Sequence, residues 1–405
     1  MRSLRLSAAL FAAMLWLPVQ VAGQLQPLSE VFPVWWPETI DLQDHQSTSY
    51  PSYPVAAALS HGFAVAAGSS TTDDEHAVEG KLADLSGQAG PHFLGEWVGP
   101  GLEPYFGDLA VAATGAGSFI LVWNEVGDFF SITYRRFGLG GVPLGDFVDL
   151  ASIRRGELCR PAVAGNASGG FAVAWEGEGC FFSDSTAAVS VRSFYASGEP
   201  ATAELSIPMP EGPGVSGRPR VGIDAAGRFV VLWRQGGATD TDPARLCGQA
   251  YGVRGGFLGS SFCIGELAGS TGGALAIDPA GSFLAAWFGP AATGTQAPLF
   301  VRRYQMNGTP LGNRVQVATA ADPSHLTASA DGHGNAALSW LEGDRMRVLL
   351  IRRDAVVKGP AITISGVVSY PEDDTNGVAL ADSGRLLVTW WSGGSIRGRL
   401  WQARF

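Results

Sequence analysis

Lysine is nearly absent from this chain, since Lys81 and Lys358 are the only two among 405 residues. The other basic residues are arginines that form no cluster, and the formal net charge is −10. An acidic chain without a basic patch is a poor partner for a phosphate backbone or for anionic lipid headgroups. The composition therefore argues against nucleic acid and membrane surfaces as partners.

Long apolar runs are also missing, with one exception at the N-terminus. Leu6–Val21 is apolar, contains Pro18, follows two arginines and precedes small residues. This run is shorter than the ~20 residues that cross a bilayer, and the layout is typical of a secretory signal peptide. We predict that residues 1–23 are a signal peptide and that 24–405 is one exported domain without a membrane span, secreted, periplasmic or on the cell surface. An uncleaved N-terminal anchor is the alternative.

Motifs of well-known catalytic and metal sites are lacking. The six histidines lie far apart, and we find no nucleophile elbow, phosphate-binding loop or cysteine zinc motif. No catalytic residue can be assigned from the sequence, which favours a protein that is not an enzyme.

Glycine and proline are abundant, with 55 and 24 residues, and they punctuate a repeat. The segment "DAAGRFVVLW" (224–233) recurs as "TGAGSFILVW", "NASGGFAVAW", "DPAGSFLAAW", "DGHGNAALSW" and a shorter "DSGRLLVTW". A first copy, "LSHGFAVAAG", has Ala67 where the others have tryptophan. The seven copies end at Ala67, Trp123, Trp175, Trp233, Trp287, Trp340 and Trp390.

Each repeat contains four predicted strands. In the fourth repeat these are "RPRVGI", "RFVVLW", "LCGQAY" and "SSFCIG". The second strand is apolar on both faces, which requires a covering layer on each side. Repeats of about 50 residues with four short strands are typical of propeller blades. We therefore predict an all-β, seven-bladed β-propeller of four-stranded antiparallel blades.

The two ends of the chain suggest how the ring closes. Phe405 aligns with the aromatic residue of the third strand, so the last blade lacks its fourth strand. "PETIDLQ" (37–43) stands at the offset of a fourth strand before the first repeat. We predict that this segment completes the last blade.

The four cysteines fall at the free ends of predicted hairpins. Cys159 and Cys180 flank the first hairpin of the third repeat, and Cys247 and Cys263 flank the second hairpin of the fourth. We predict disulfides within each pair, as expected for an oxidising compartment. Free thiols are the alternative.

The repeated Asp and Gly differ from the Asp-box of sialidases, S-x-D-x-G-x-T-W, because Asp224 stands three residues before Gly227 and Trp233 six after it. We interpret the motif as a turn followed by a packed strand. The arginines that recur in the third strand are interpreted as structural too, for example as contacts with a neighbouring blade: Arg135, Arg136, Arg192, Arg302, Arg303, Arg352 and Arg353.

Variable loops after the second and fourth strands should emerge on one face. They would place acidic and aromatic side chains there, a combination that suits glycans, peptides or protein edges. Solvated acids and blade-capping aromatics are the alternative. The candidate ligand-binding residues are Asp73, Asp74, Glu96, Trp97, Tyr105, Phe129, Phe181, Asp240, Asp242, Tyr370, Asp373 and Asp374.

No cofactor is expected, and the metal content is left open. Asp73 with Asp74, and Asp240 with Asp242, could ligate calcium, but neither pair forms a known calcium loop.

The repeat D-x-x-G-x-F-x-x-x-W, followed by R-x-F-x-x-x-G-x-P-L-G, resembles the repeats of secreted bacterial β-propeller proteins, many without an assigned function. The resemblance covers about 37–405 and implies a propeller, but no activity. We expect a monomeric, exported binding module that meets an extracellular protein or glycan on its loop-rich face. A carbohydrate-active enzyme or a lectin of propeller fold is the alternative.

Overall fold

The computed structural model describes most of the chain after residue 25. The described residues are 26–28, 32–33, 54–70, 76–99, 105–115, 118–153, 158–177, 188–208, 217–236, 242–269, 271–367, 377–392 and 395–405.

Seven antiparallel sheets, each built mainly from one repeat, form the blades of a β-propeller, and the described residues contain no helix. The first strand of each blade lines the central channel and the last lies at the rim. Blade 1 comprises β3 (Val55–Leu59), β4 (Gly62–Ser70), β5 (His76–Asp84) and β6 (Ala89–Val98). Blade 2 comprises β7 (Tyr105–Ala113), β8 (Ser118–Val126), β9 (Phe130–Gly138) and β10 (Val148–Ile153). Blade 3 comprises β11 (Leu158–Gly165), β12 (Phe171–Gly177), β13 (Ala188–Phe194) and β14 (Leu205–Pro208).

The remaining blades follow the same order. Blade 4 comprises β15 (Gly217–Ile223), β16 (Phe229–Gln235), β17 (Arg245–Tyr251) and β18 (Phe262–Glu266). Blade 5 comprises β19 (Gly273–Asp278), β20 (Ser282–Phe288), β21 (Gln296–Gln305) and β22 (Pro310–Ala321). Blade 6 comprises β23 (Pro323–Ala330), β24 (Ala336–Glu342), β25 (Arg345–Ile351) and β26 (Ile362–Ser365). Blade 7 comprises β27 (Gly377–Leu380), β28 (Arg385–Ser392), β29 (Ser395–Gln402) and two N-terminal strands, β1 (Gln26–Pro27) and β2 (Phe32–Pro33).

The second strand of each blade is buried on both faces, as the sequence predicts. In β16, Phe229 and Trp233 pack against blade 3, whereas Val230 and Leu232 pack against blade 5. A strand between two neighbouring sheets has no solvated face, so its sequence shows no polar alternation.

Seven hydrophobic clusters join the blades, one at each of the seven junctions. The cluster between blades 7 and 1 contains Leu387 and Phe63, so the ring is closed. Ala67 lies in this same cluster, and Trp391 packs against it from blade 7. In the one repeat without the tryptophan, the smaller side chain of Ala67 is thus compensated by Trp391, which directly follows Trp390 in blade 7.

The Asp-x-x-Gly segment is a tight turn between the first and second strands. Asp224 is buried, and its Oδ1 accepts hydrogen bonds from the backbone N–H groups of Ala226 (3.0 Å) and Arg228 (2.9 Å). Gly227 has φ of 82°, in the left-handed region that favours glycine. The interpretation of this motif as a turn rather than a catalytic box is therefore confirmed.

The N-terminal segment closes the ring by pairing with the edge of blade 7. Gln26 and Pro27 lie opposite Gln402 and Trp401, and β2 continues along the same strand opposite Gly398 and Arg397. Closure by an N-terminal strand is thus confirmed. The segment expected to supply it, 37–43, lies outside the described residues, and the strands described at this edge are β1 and β2.

The aromatic residue of the third strand in blade 7 is Trp401, so the assignment of Phe405 to this position is wrong. Trp401 pairs with Leu386, just as Phe137 pairs with Phe119 in blade 2. The hairpin between β28 and β29 is as short as that between β24 and β25 in blade 6 and shorter than those of blades 1 to 5, which brings an earlier residue into register.

Cys247 and Cys263 form a disulfide between directly opposed residues of β17 and β18, as predicted. Cys159 is also disulfide-bonded, and its expected partner, Cys180, lies outside the described residues. None of the described residues belongs to a helix long and apolar enough to cross a membrane.

Candidate functional site

Five of the twelve candidate ligand-binding residues are described, and four of them lie on blades 1 and 2. Glu96 and Trp97 are on β6, Tyr105 begins β7, and Phe129 is in the turn between β8 and β9. Asp242 lies apart from them, just before β17 on blade 4. The other candidates lie outside the described residues: Asp73, Asp74, Phe181, Asp240, Tyr370, Asp373 and Asp374.

Two carboxyl groups meet at the junction of blades 1 and 2. Burial, followed by the charge of Glu125 and a hydrogen bond with it, raises the pKa of Glu96 from 4.5 to about 8. Glu96 is therefore a neutral acid at pH 7. One of its carboxyl oxygens, Oε2, is buried and has no hydrogen-bond partner among the described residues.

Glu125 is held in place by two donors of its own blade. Trp123 Nε1 donates to Oε1 at 3.0 Å and Ser131 Oγ donates to Oε2 at 2.8 Å. Trp123 and Glu125 stand two residues apart on one strand and so share a face. Blade 6 repeats this arrangement, with Trp340 Nε1 donating to Glu342 at 2.8 Å. The tryptophan–glutamate hydrogen bond is therefore a structural feature that blades 2 and 6 share. What distinguishes the junction of blades 1 and 2 is the second carboxyl group, that of Glu96.

Two aromatic side chains near these acids are exposed on the loop-bearing face. Trp97, 45% exposed, follows Glu96 on β6 with its side chain on the opposite side of the strand, and Phe129 is 54% exposed in the turn after β8. Apolar rings in contact with water are available to a ligand. The region consequently presents a neutral acid, a second carboxyl group and two exposed aromatic side chains, which we call the acid–aromatic face (Glu96, Trp97, Glu125 and Phe129).

The sequence analysis does not single out the polar residues that directly follow the repeated tryptophan, and these residues join neighbouring blades. Asn124 Nδ2 donates to Leu158 O at 3.3 Å, and Arg234 Nη1 donates to Gly269 O at 2.8 Å, each bond reaching the next blade. Glu176, 1% exposed, accepts from the N–H of Arg218 at 3.0 Å in the same way. The signal was present in the sequence, since these are polar residues within otherwise apolar strands.

Backbone strain occurs next to these contacts. Arg160, Arg218 and His325 have φ of 49°, 52° and 55°, and each lies at a bulge in the first strand of its blade. Non-glycine residues in this region are costly and are held by surrounding contacts. The Arg160 Nη1 to Glu176 Oε2 distance of 3.1 Å is one such contact.

Six of the seven recurrent arginines make contacts that join strands or blades, as predicted, whereas Arg352 pairs with Asp354 within its own turn. In the first arginine of the motif, Nε donates to a carbonyl ten residues further along, at the turn into the fourth strand. The second arginine reaches a neighbouring blade, for example from Arg136 Nη1 to Ala196 O at 2.8 Å. The first type comprises Arg135, Arg192 and Arg302; the second comprises Arg136, Arg303 and Arg353.

The central channel opens on the opposite face, at the Asp-x-x-Gly turns. It encloses a cavity of about 590 Å³ lined by the first strands of all seven blades, with mostly small or apolar side chains such as Ala58, Val111 and Leu275. The lining also includes Asp331 and Asp382, whose Oδ1 atoms each accept a hydrogen bond from a backbone N–H group.

No group of three or more His, Cys, Asp or Glu residues within the described part of the chain is arranged to hold a metal ion. Of the calcium candidates, only Asp242 is described, so the calcium hypothesis stays a prediction.

Comparison with known proteins agrees with the fold. No protein-family profile and no curated protein sequence matches the chain. Among solved structures, it is similar to the β-propeller domain of the Trilobed protease from Pyrococcus furiosus, with a TM-score of 0.51, 10% identity, and coverage of 87% of this chain and 95% of that one.

Two further similarities have comparable identity. A protein of unknown function from Dyadobacter fermentans gives a TM-score of 0.50 at 11% identity, over 74% of this chain and 95% of that one. The Aleuria aurantia lectin gives 0.46 at 12% identity, over 72% and 91%. At such identities the first two likenesses show the fold alone.

Proposed function

We propose that this chain is an exported, non-enzymatic binding module whose acid–aromatic face takes a hydroxyl-rich ligand, a glycan being the chemical class that fits. The observation that carries the proposal is the raised pKa of Glu96 beside Glu125. Export is supported by the signal-peptide layout of residues 1–23 and by the Cys247–Cys263 disulfide.

A protonated carboxyl group beside a second carboxyl group offers a hydrogen-bond donor and several acceptors. Sugar hydroxyl groups both donate and accept hydrogen bonds, so they complement these carboxyl groups. Trp97 and Phe129 add apolar surfaces for the C–H faces of a sugar ring.

A glycan array followed by calorimetry with the best ligand tests this proposal. We expect Trp97→Ala and Phe129→Ala to weaken binding about tenfold each, since losing one aromatic contact costs on the order of 1 kcal/mol or more. The matched control is Phe257→Ala, because Phe257 is 73% exposed in a turn on the opposite face. Affinity that is insensitive to both aromatic substitutions would contradict the proposal.

A carbohydrate-active enzyme is the second candidate, and the same carboxyl pair favours it. Glycosidases use one carboxyl group kept neutral by its surroundings as general acid and an ionised one as nucleophile or base. In that case hydrolysis would slow as the pH rises through about 8, where Glu96 loses its proton. Glu96→Gln would abolish turnover while retaining binding; a binding module would show no turnover with any substrate in the screen.

A further inference from the structure

A cavity lies between blades 4 and 5, remote from the acid–aromatic face. It has a volume of about 580 Å³ and is lined by the outer strand of blade 4 and by the second, third and fourth strands of blade 5. All of its lining residues belong to the described part of the chain. We call it the blade 4–5 cavity and define it by Gly265, Trp287, Gly289, Phe300, Arg314 and Arg245.

The equivalent tryptophans of other blades show which hydrogen-bond partner Trp287 lacks. In blades 2 and 6 the residue two positions after the tryptophan is a glutamate, which accepts a hydrogen bond from the indole Nε1 at 3.0 and 2.8 Å. In blade 5 this position is Gly289. The chain therefore supplies no carboxylate there, and Trp287, although only 1% exposed, lines the cavity.

Gly265 of blade 4 packs close to the same indole. A Cβ atom at this position would lie 2.7 Å from Trp287 Nε1, too close for any real side chain. A side chain at 265 would therefore displace Trp287 or cover its indole N–H.

Charge distinguishes this cavity from blade 3, where Gly177 also follows the tryptophan by two positions. Arg245 and Arg314 both line the blade 4–5 cavity, while Glu266 is its one acidic lining residue. The Arg314 guanidinium lies over the Phe300 ring, 4.5 Å from its centroid, and this stacking positions the cation. The cations exceed the acids by one, so a single negative charge would balance the site.

We propose that the blade 4–5 cavity binds the carboxylate of a compact organic acid, which occupies the place that Glu125 and Glu342 fill in blades 2 and 6. The carboxylate accepts from Trp287 Nε1 and pairs with Arg314, with Arg245 adding attraction at the entrance. A charge-assisted pair of this kind is stronger than a neutral hydrogen bond. The volume is that of a small-molecule site.

Titration with glucuronate, with N-acetylglutamate and with neutral glucose tests the proposal on the full chain. We expect saturable binding of at least one acid and none of glucose, together with a shift of a single indole N–H resonance in the NMR spectrum. The two acids separate a sugar source from an amino-acid source of the same carboxylate.

Two variants assign the binding to this cavity. Arg314→Ala removes a cation from an exposed side chain, and Gly265→Ala blocks the indole; each should weaken binding at least about tenfold. The matched control is Arg345→Ala, since Arg345 is an exposed arginine at the start of the third strand in blade 6, whose Trp340 already has Glu342.

Melting curves show whether each variant is folded, and Arg314→Ala keeps the test valid if Gly265→Ala is not. The proposal is overturned if neither acid binds, if glucose binds as well as the acids, or if Arg314→Ala binds like the wild type. The titrations are repeated on Trp97→Ala and Phe129→Ala, so that sugar bound at the acid–aromatic face is distinguished from ligand in this cavity.

Discussion

Buried carboxylates serve two different purposes in this protein, and their hydrogen bonds distinguish them. Asp224 is almost fully buried yet accepts two backbone N–H groups and, at 2.7 Å, the Nε of Arg228. Glu96, in contrast, keeps one buried oxygen without a partner and faces another acid. The first completes a turn, whereas the hydrogen bonds of the second are incomplete among the described residues.

Replacing the turn glycine tests the backbone at that site. Gly227→Ala should lower the free energy of unfolding by about 1–2 kcal/mol, because a non-glycine residue pays this cost at positive φ. The nearest atom to a new Cβ is 3.5 Å away, so crowding adds little. Urea denaturation measures the change.

Gly256→Ala in the same blade is the control, since no atom lies within 4 Å of its Cβ position and its φ is not positive. Equal losses for Gly227→Ala and Gly256→Ala would contradict the explanation by backbone conformation.

The raised pKa of Glu96 predicts a pH-dependent stability. Its folded pKa, about 8, exceeds the ordinary 4.5, so the folded state binds the proton more tightly than the unfolded state. The stability contributed by protonated Glu96 is complete below about pH 4.5 and is lost as the pH rises to about 8. Glu96→Gln, which stays neutral, should gain thermal stability relative to the wild type over this range.

Melting temperatures of both proteins at several pH values check this prediction. Glu199→Gln, at an exposed side chain, serves as the control. A Glu96→Gln difference that is constant from pH 5 to 8 would show that the carboxyl group is not neutral in the folded protein.

At the scale of elements, the regular parts of each blade could be predicted from sequence, because a buried second strand and its turn repeat seven times. The closing strands could not. β1 and β2 are two residues each and contain Pro27 and Pro33, so they carry no alternating pattern. Proline suits an edge strand, where a missing N–H costs nothing, but this signal is weak.

The candidate site was predictable only in part for a related reason. The sequence places Glu96 in a loop, whereas it lies on β6, and its partner Glu125 lies on another blade. The register between blades follows from packing rather than from the repeat, so the sequence does not show which carboxyl groups meet. The blade 4–5 cavity arises from missing side chains at Gly265 and Gly289, which a search for reactive residues passes over.

Removal of the closing strands should destabilise blade 7. A chain starting at residue 34 lacks β1 and β2 and leaves the edge of β29 unpaired, whereas a chain starting at 26 retains both. We expect the shorter chain to melt at a lower temperature and to aggregate, because an exposed edge pairs with other chains.

Calorimetry and light scattering of the two truncated chains make the comparison. If both melt alike and stay monomeric, β1 and β2 do not hold the ring.

For the whole molecule, stability rests on seven equivalent junctions. Leu387 lies in the cluster between blades 7 and 1, and Leu338 lies between blades 5 and 6; both are fully buried. Leu387→Ala and Leu338→Ala should each cost about 2–5 kcal/mol, the usual range for such core truncations.

Circular dichroism and tryptophan fluorescence should report coincident urea transitions for both variants, since a closed ring unfolds as a unit. A small loss for Leu387→Ala alone would indicate that the junction between blades 7 and 1 is open.

The pairing of β1 with β29 also sets an order of events during folding. Almost all other strand pairs join residues within one repeat, whereas this pair brings Gln26 to Gln402. Closing so long a loop carries a large entropic cost and is slow compared with forming local hairpins. Blades 1 to 6 can therefore assemble early, while the seventh waits for both ends of the chain, and until then the unfinished edge is the place where a chaperone or another chain would bind.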